Sequence, residues 1–281
     1  MLAVIELSFD PFLRVGDLAV RWQTVELTFA LLAAIAVATL TAPRRRFFRD
    51  RMTLIIAGIA PGAAVGGRVV HVLVYWDAYA ADPTRMFNPF VGSLSLTGAV
   101  LGGTITAIFL AKIVGAPVGR WADAAAVPLL IALGFGKLAQ LLGGSGQGLP
   151  FDGDWAVAFL GNGSWISADP ALPSHPSQVY EGLWLLAGIP IVLAWFDRRW
   201  GLGDVTRTGG LLVGALVWFL LGRIAVGFTW RDERLIGPVN GEQVIAAVAL
   251  VAVLVIASRR PAPSPVEPPE YRFGERRKKG A

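Results

Sequence analysis

The chain has 281 residues, 54% of them hydrophobic and 16% charged, whereas a soluble domain carries about 25% charged residues, so composition places it in the membrane class. There is no Cys and there are two His, His71 and His175; disulfides, cysteine-bound metal and a thiol nucleophile of its own are excluded, and no metal or other cofactor is expected. The formal net charge of +5 reports topology rather than nucleic-acid binding in such a chain, and no nucleic-acid partner is expected.

Residues 1–17, within an arm spanning 1–23, lack the basic start and short apolar core of a cleavable signal peptide, and Asp10-Pro11 interrupts them. This arm reads as interfacial, with Phe9, Phe12, Leu13 and Trp22 at the headgroup level. Seven apolar stretches then follow, at 24–42, 53–75, 93–114, 120–143, 177–196, 209–229 and 241–258, each about long enough to cross a bilayer as a helix. No repeat is evident and most connections are short, so the fold class expected is all-α: one bundle of seven transmembrane helices over 24–258, with a long loop at 144–174. A proline-rich, basic tail at 259–281 reads as disordered.

Basic residues sort to one side of this scheme. Arg44, Arg45, Arg46, Arg49 and Arg51 follow the first span, Arg198, Arg199 and Arg207 the fifth, and Arg259, Arg260, Arg272, Arg276, Arg277, Lys278 and Lys279 the seventh. The positive-inside rule makes that side cytoplasmic, with the N-terminus outside and the C-terminus inside. The loop 144–174 has no Lys or Arg and faces outward.

With orientation assigned, helix rise gives depth. Arg68, Lys137 and Arg223 come out roughly 9–10 Å below the outer surface, and Glu181 and Thr97 roughly 6 Å. Gln140 and Gln178 share that level, Asp123 lies deeper, and Glu242 and Gln243 sit at the mouth of the last helix. Single cations near a span end often snorkel to the interface; polar groups from five helices at one depth indicate a shared internal site. Its cations suit a phosphate, and arginine suits it in two-pronged fashion; a phospholipid headgroup is the abundant phosphate at this depth. Glycines at 62, 66, 67, 98, 102, 103, 134 and 136 favour close helix packing. His175 reads either as a helix anchor before Pro176 or as a site residue, Tyr180 either as a phosphate-orienting group or as part of the aromatic belt, and Glu181 as a bundle-tying or catalytic carboxylate.

His175-Pro176-Ser177-Gln178-Val179-Tyr180-Glu181 matches in full the His-Pro-Ser-Gln-x-Tyr-Glu motif of the prolipoprotein diacylglyceryl transferases, and the rest of the chain resembles that family in order. Phe9-Asp10-Pro11 with Trp22, Gly66-Gly67-Arg68, Asp82-Pro83, Gly134 to Gly144, Arg223 and Gly241-Glu242-Gln243 carry the likeness. The resemblance implies transfer of diacylglyceryl from phosphatidylglycerol to the lipobox cysteine of a lipoprotein precursor signal peptide, in the bacterial plasma (inner) membrane and facing its outer leaflet. It implies catalytic roles for Arg223, Lys137, Glu181 and Thr97, and substrate binding by Arg68, Gln140, Gln178, Tyr180, His175 and Ser95. Thr97 stands where the family has histidine, Lys137 where it has arginine, Gln140 where it has asparagine and Gly227 where it has glutamate. A non-catalytic relative that binds phospholipid or precursors without turnover, and a small transporter, are the alternative readings; charges clustered near one face disfavour the transporter.

Overall fold

The computed structural model describes residues 4–41, 49–88, 93–200 and 209–259. Seven helices among them are long and apolar enough to cross a membrane: Trp22–Leu40, Thr53–Val74, Leu96–Ile113, Val118–Gly143, Ser177–Ala194, Gly210–Thr229 and Gly241–Ser258. They belong to α1 (Trp22–Thr41), α2 (Arg49–Val74), α4 (Leu96–Ile113), α5 (Val118–Gly143), α6 (Ser177–Trp200), α7 (Gly210–Val226) and α8 (Gly241–Ser258), with a short α3 (Trp76–Ala80) after α2. The chain is thus an all-α, multi-pass bundle. Arg44, Arg45, Arg46, Arg207 and the tail beyond Arg259 lie outside the described residues.

Helix α5 is the hub, packing on α1, α6 and α7, while α2 pairs with α4 and α7 with α8. The buried centre is made of Leu130, Leu185, Leu211, Phe219 and Leu220 with alanines from five helices. Outward faces expose Phe29, Leu32, Ile105, Phe109, Leu183, Val248 and Val251. An apolar surface of that extent suits acyl chains, not water.

The α2–α4 seam brings two backbones into contact. A Cβ built on Gly98 would lie 2.3 Å from the Gly66 carbonyl oxygen, and one on Gly66 would lie 2.4 Å from that of Gly98. No side chain fits there, so glycine at both positions is what permits the helices to touch, as in other small-residue membrane contacts.

One end of the bundle carries an irregular cap. Strand β1 (Ile5–Leu7) of the N-terminal arm pairs in parallel with β4 (Val157–Phe159) in the long loop, and β2 (Phe12–Val15) forms a hairpin with β3 (Leu18–Arg21). An edge contact of Phe9 with Trp165 and a hydrogen bond from Arg21 to the Ser164 carbonyl (2.8 Å) fasten arm to loop. Gly144 ends α5 in the left-handed region, φ 70°, the usual glycine terminator. A second hairpin, β5 (Arg234–Ile236) with β6 (Val239–Asn240), joins α7 to α8.

Helix α8 starts with a reciprocal cap. The Gln243 amide donates to Asn240 Oδ1 (2.8 Å), and the Asn240 amide donates to Gln243 Oε1 (2.9 Å). Two otherwise orphaned donors are satisfied this way. Asn240→Ala is expected to cost about 1 kcal/mol, read as a lower unfolding midpoint in detergent, with Asn240→Asp close to the parent.

Candidate active site

At the capped end, four helices converge on a buried set of charges. Arg223 of α7 directs Nη1 at both oxygens of Glu181 on α6, at 3.0 and 2.9 Å, and Nη2 at Oε2 of Glu242 at the head of α8, at 3.3 Å. Lys137 of α5 places Nζ 3.0 Å from Glu181 Oε2 and 4.5 Å from the centre of the Trp230 ring. The hydroxyl of Thr97 on α4 donates to Glu242 Oε2 at 2.8 Å. Thr97 is 0% exposed, Glu181 1%, and Arg223, Lys137 and Glu242 7% each. Two cations face two carboxylates, and each carboxylate accepts hydrogen bonds. Buried charge is tolerated only in such an arrangement.

Immediately beside this network lie polar atoms with nothing to bond. Gln178 is fully buried, yet neither atom of its amide has a partner; the same holds for Gln140 Oε1, Arg223 Nε and Trp230 Nε1. Gln178 is three residues before Glu181 and Gln140 three after Lys137, so on each helix the amide and the charge share a face. Gly146, at φ 72°, packs there too: a Cβ on it would meet the Trp230 ring at 2.8 Å and Gln140 Oε1 at 2.9 Å. Buried donors and acceptors are normally satisfied, and a cluster of orphans next to paired charges is a place prepared for a polar group from outside the chain.

The other residues singled out from sequence flank this centre. Arg68 donates to the carbonyls of Arg85 (2.6 Å), Met86 (2.7 Å) and Asn88 (3.1 Å) and lies 5.2 Å over the Tyr79 ring; it clamps the α2–α4 connection. Ser95 caps α4 by accepting from the Gly98 amide at 3.0 Å. His175 stacks on Phe151, ring centres 4.0 Å apart, with Nδ1 3.3 Å from the Tyr180 hydroxyl, which accepts from Trp155 at 2.6 Å. Burial pushes the His175 imidazole below the ordinary histidine range, so it is neutral at neutral pH. These groups make an aromatic wall beneath the loop. Arg231 holds that loop through the Gly148 carbonyl and the Ser174 hydroxyl.

Three participants were not assigned to the site from sequence. Glu242 had a visible signal, a carboxylate opening an apolar helix. Asp232 follows closely after Gly227, where the family has glutamate, but its approach to the site, like that of Trp230, depends on how the α7–α8 connection folds back. Burial, the dominant influence, lifts the Asp232 carboxyl above the usual range against the charges of Arg223 and Lys137. Tyr75, at the end of α2, donates to Asp232 Oδ1 at 3.4 Å, and its own hydroxyl is pushed up to about 12.

Known proteins resemble this chain over nearly its whole length. The family description of the prolipoprotein diacylglyceryl transferases matches residues 11–259. Proteins named phosphatidylglycerol–prolipoprotein diacylglyceryl transferase from Trichormus variabilis and Halalkalibacterium halodurans are similar to it. The first is 25% identical, covering 96% of this chain and 98% of its own length. The second is 26% identical over 87% and 84% respectively. A third of the same name, from a Nostoc species, is 24% identical over 94% of this chain.

Proposed function

The chain belongs to the prolipoprotein diacylglyceryl transferase family, and from that premise we propose that it transfers diacylglyceryl from phosphatidylglycerol to the lipobox cysteine thiol of lipoprotein precursors. The observation that carries this reading is the juxtaposition of the Arg223–Glu181–Lys137 network with the orphaned amide of Gln178. The phosphate of phosphatidylglycerol docks against Arg223 and Lys137, and its glycerol hydroxyls meet Gln178 and Gln140. Attack by the precursor's sulfur on the diacylglyceryl carbon sends charge onto the departing glycerol phosphate, where the two cations are already in place and need no reorganisation. The absence of Cys fits, because the nucleophile belongs to the acceptor. Arg68 supports this site through the α2–α4 connection that it clamps, and His175, Tyr180 and Ser95 shape its walls.

The basic residues that follow the first, fifth and seventh spans in sequence support a cytoplasmic position for the opposite end of the bundle. The site then faces the outer leaflet of the bacterial inner membrane, and the arm 1–23 lies at the interface. Membrane lipid enters between helices, and the signal peptide approaches beneath the loop 144–174.

The direct test is transfer from labelled phosphatidylglycerol to a lipobox peptide by purified protein. A thioether-linked product is expected; folded protein that binds phosphatidylglycerol and forms none would sink the proposal. Gln178→Leu separates binding from folding. An unsatisfied buried amide costs about 1–3 kcal/mol, so the variant should unfold no earlier than the parent. Loss of one or two headgroup hydrogen bonds should raise KM for phosphatidylglycerol about tenfold. An unchanged KM would remove Gln178 from the headgroup site.

A further inference from the structure

Transfer to a thiol needs a proton acceptor, because a cysteine with pKa near 8.5 is mostly protonated at neutral pH. The two histidines are poorly disposed for this task. His71 Nε2 accepts the Ser93 amide at 3.2 Å, which uses the one lone pair a neutral imidazole offers. His175 is stacked in the aromatic wall under the loop. Among carboxylates at this end, Glu181 is held by two cations and Glu242 by Arg223 and Thr97. Asp169 pairs with Arg231 at 3.4 Å, and Glu233 is exposed.

Asp232 differs from all of these. It is half-buried in the connection between α7 and α8, it lies within electrostatic reach of Arg223, Lys137 and Glu242, and its hydrogen-bond partner is the neutral phenol of Tyr75. We infer that Asp232 is the general base that takes the proton from the acceptor cysteine thiol, held toward the site by the Tyr75 hydroxyl. This role rests on the transferase reading above.

The step balances without a co-reactant. The S–H proton passes to an Asp232 oxygen, and sulfur forms a bond to the diacylglyceryl carbon. The bond from that carbon to the phosphate oxygen breaks, and its electron pair leaves with glycerol phosphate beside Arg223 and Lys137. Asp232 then gives its proton to the departing phosphate and returns to the ionised form. The groups facing it set its proton affinity in opposing directions. Arg223 and Lys137 favour the carboxylate, Glu242 and burial favour the acid, and burial dominates. A raised carboxyl is closer in basicity to the thiol it must deprotonate than an ordinary one.

The test compares kcat/KM of the parent, Asp232→Asn and Asp232→Glu from about pH 6 to about pH 9.5, a range that spans the thiol pKa. Asp232→Asn is expected to lose about 10²-fold near pH 6.5, within the span of general-base effects. That deficit should shrink to about tenfold or less above pH 8.5, where the thiolate forms unaided. Asp232→Glu keeps a base and should retain the parent's pH dependence at reduced rate. A loss by Asp232→Asn that is constant with pH marks a structural residue and overturns the inference, as does full activity. Should Asp232→Asn fail to fold, Asp232→Glu decides: the parent's pH dependence supports the role, and the steeper rise expected of an unaided thiolate overturns it. No product from the parent at any pH overturns the transferase reading itself, and this role with it, whereas product from the parent with a flat Asp232→Asn deficit overturns only this role.

Discussion

Arg223→Lys is expected to lower kcat for diacylglyceryl transfer by about 10²–10³-fold, the scale seen when one preorganised donor to a developing anion is lost, while the protein still folds. Lysine keeps the positive charge, and Glu181 keeps Lys137 as its partner at 3.0 Å. One ammonium cannot reproduce what Arg223 does, however. Its Nη1 grips both oxygens of Glu181, its Nη2 reaches Glu242, and its Nε is left over with no partner. That last N–H is the one we assign to substrate phosphate, and a planar guanidinium can serve all three directions at once. Arg223→Ala is a harsher change. It leaves Glu242 buried with only the Thr97 hydroxyl and is expected to destabilise by about 3–5 kcal/mol, so the lysine variant is the cleaner probe. Turnover with radiolabelled phosphatidylglycerol, alongside an unfolding midpoint in detergent, measures both effects. An Arg223→Lys protein turning over at the parental rate would remove the guanidinium from the reaction.

The spans were legible because their physics is one-dimensional: a stretch is either apolar for the thickness of a bilayer or it is not. The seventh span, 241–258, coincides with Gly241–Ser258, and the third, drawn from 93, begins at Leu96 because Ser95 is its cap. Depth along a helix rests on an equally one-dimensional argument, since rise per residue is constant. Thr97, Lys137, Glu181 and Arg223, chosen by residue type, depth and family resemblance, stand in one bonded network with Glu242.

Depth says nothing about azimuth, and that is where sequence reasoning stopped. Helix rise assigns Arg68 the level of Lys137, but its side chain turns to the carbonyls of Arg85, Met86 and Asn88. Pairings distant in sequence were equally hidden. Strand β1 finds β4 across the arm and the loop, and neither three-residue strand has enough alternation to announce itself. Tyr75 and Asp232 meet only because the α7–α8 connection folds back over the site. Nor does a glutamine in a sequence declare that its amide will be buried without a partner, as at Gln178.

The Lys137–Glu181 pair yields the second large effect, and it follows from counting charge. Arg223 and Lys137 face Glu181 and Glu242, two of each sign, with Lys137 7% exposed and Glu181 1%. Glu181→Gln removes the carboxylate that both cations touch, and Lys137 then keeps the face of Trp230 at 4.5 Å and the more distant charge of Asp232. Breaking a buried pair from one side is expected to cost about 3–5 kcal/mol. Removing both charges as Glu181→Gln with Lys137→Gln leaves Arg223 balanced by Glu242, so the double variant should recover part of that loss. A coupling of about 1–3 kcal/mol between the two sites is expected for residues in one network. Activity should not recover with stability, because the double variant has one cation fewer to meet the departing phosphate. Unfolding midpoints for the two single variants and the double one, set beside their transfer rates, distinguish the two roles of the pair. A double variant no more stable than Glu181→Gln would mean that the 3.0 Å contact carries no coupling; one that is stable and fully active would assign Lys137 to the fold alone.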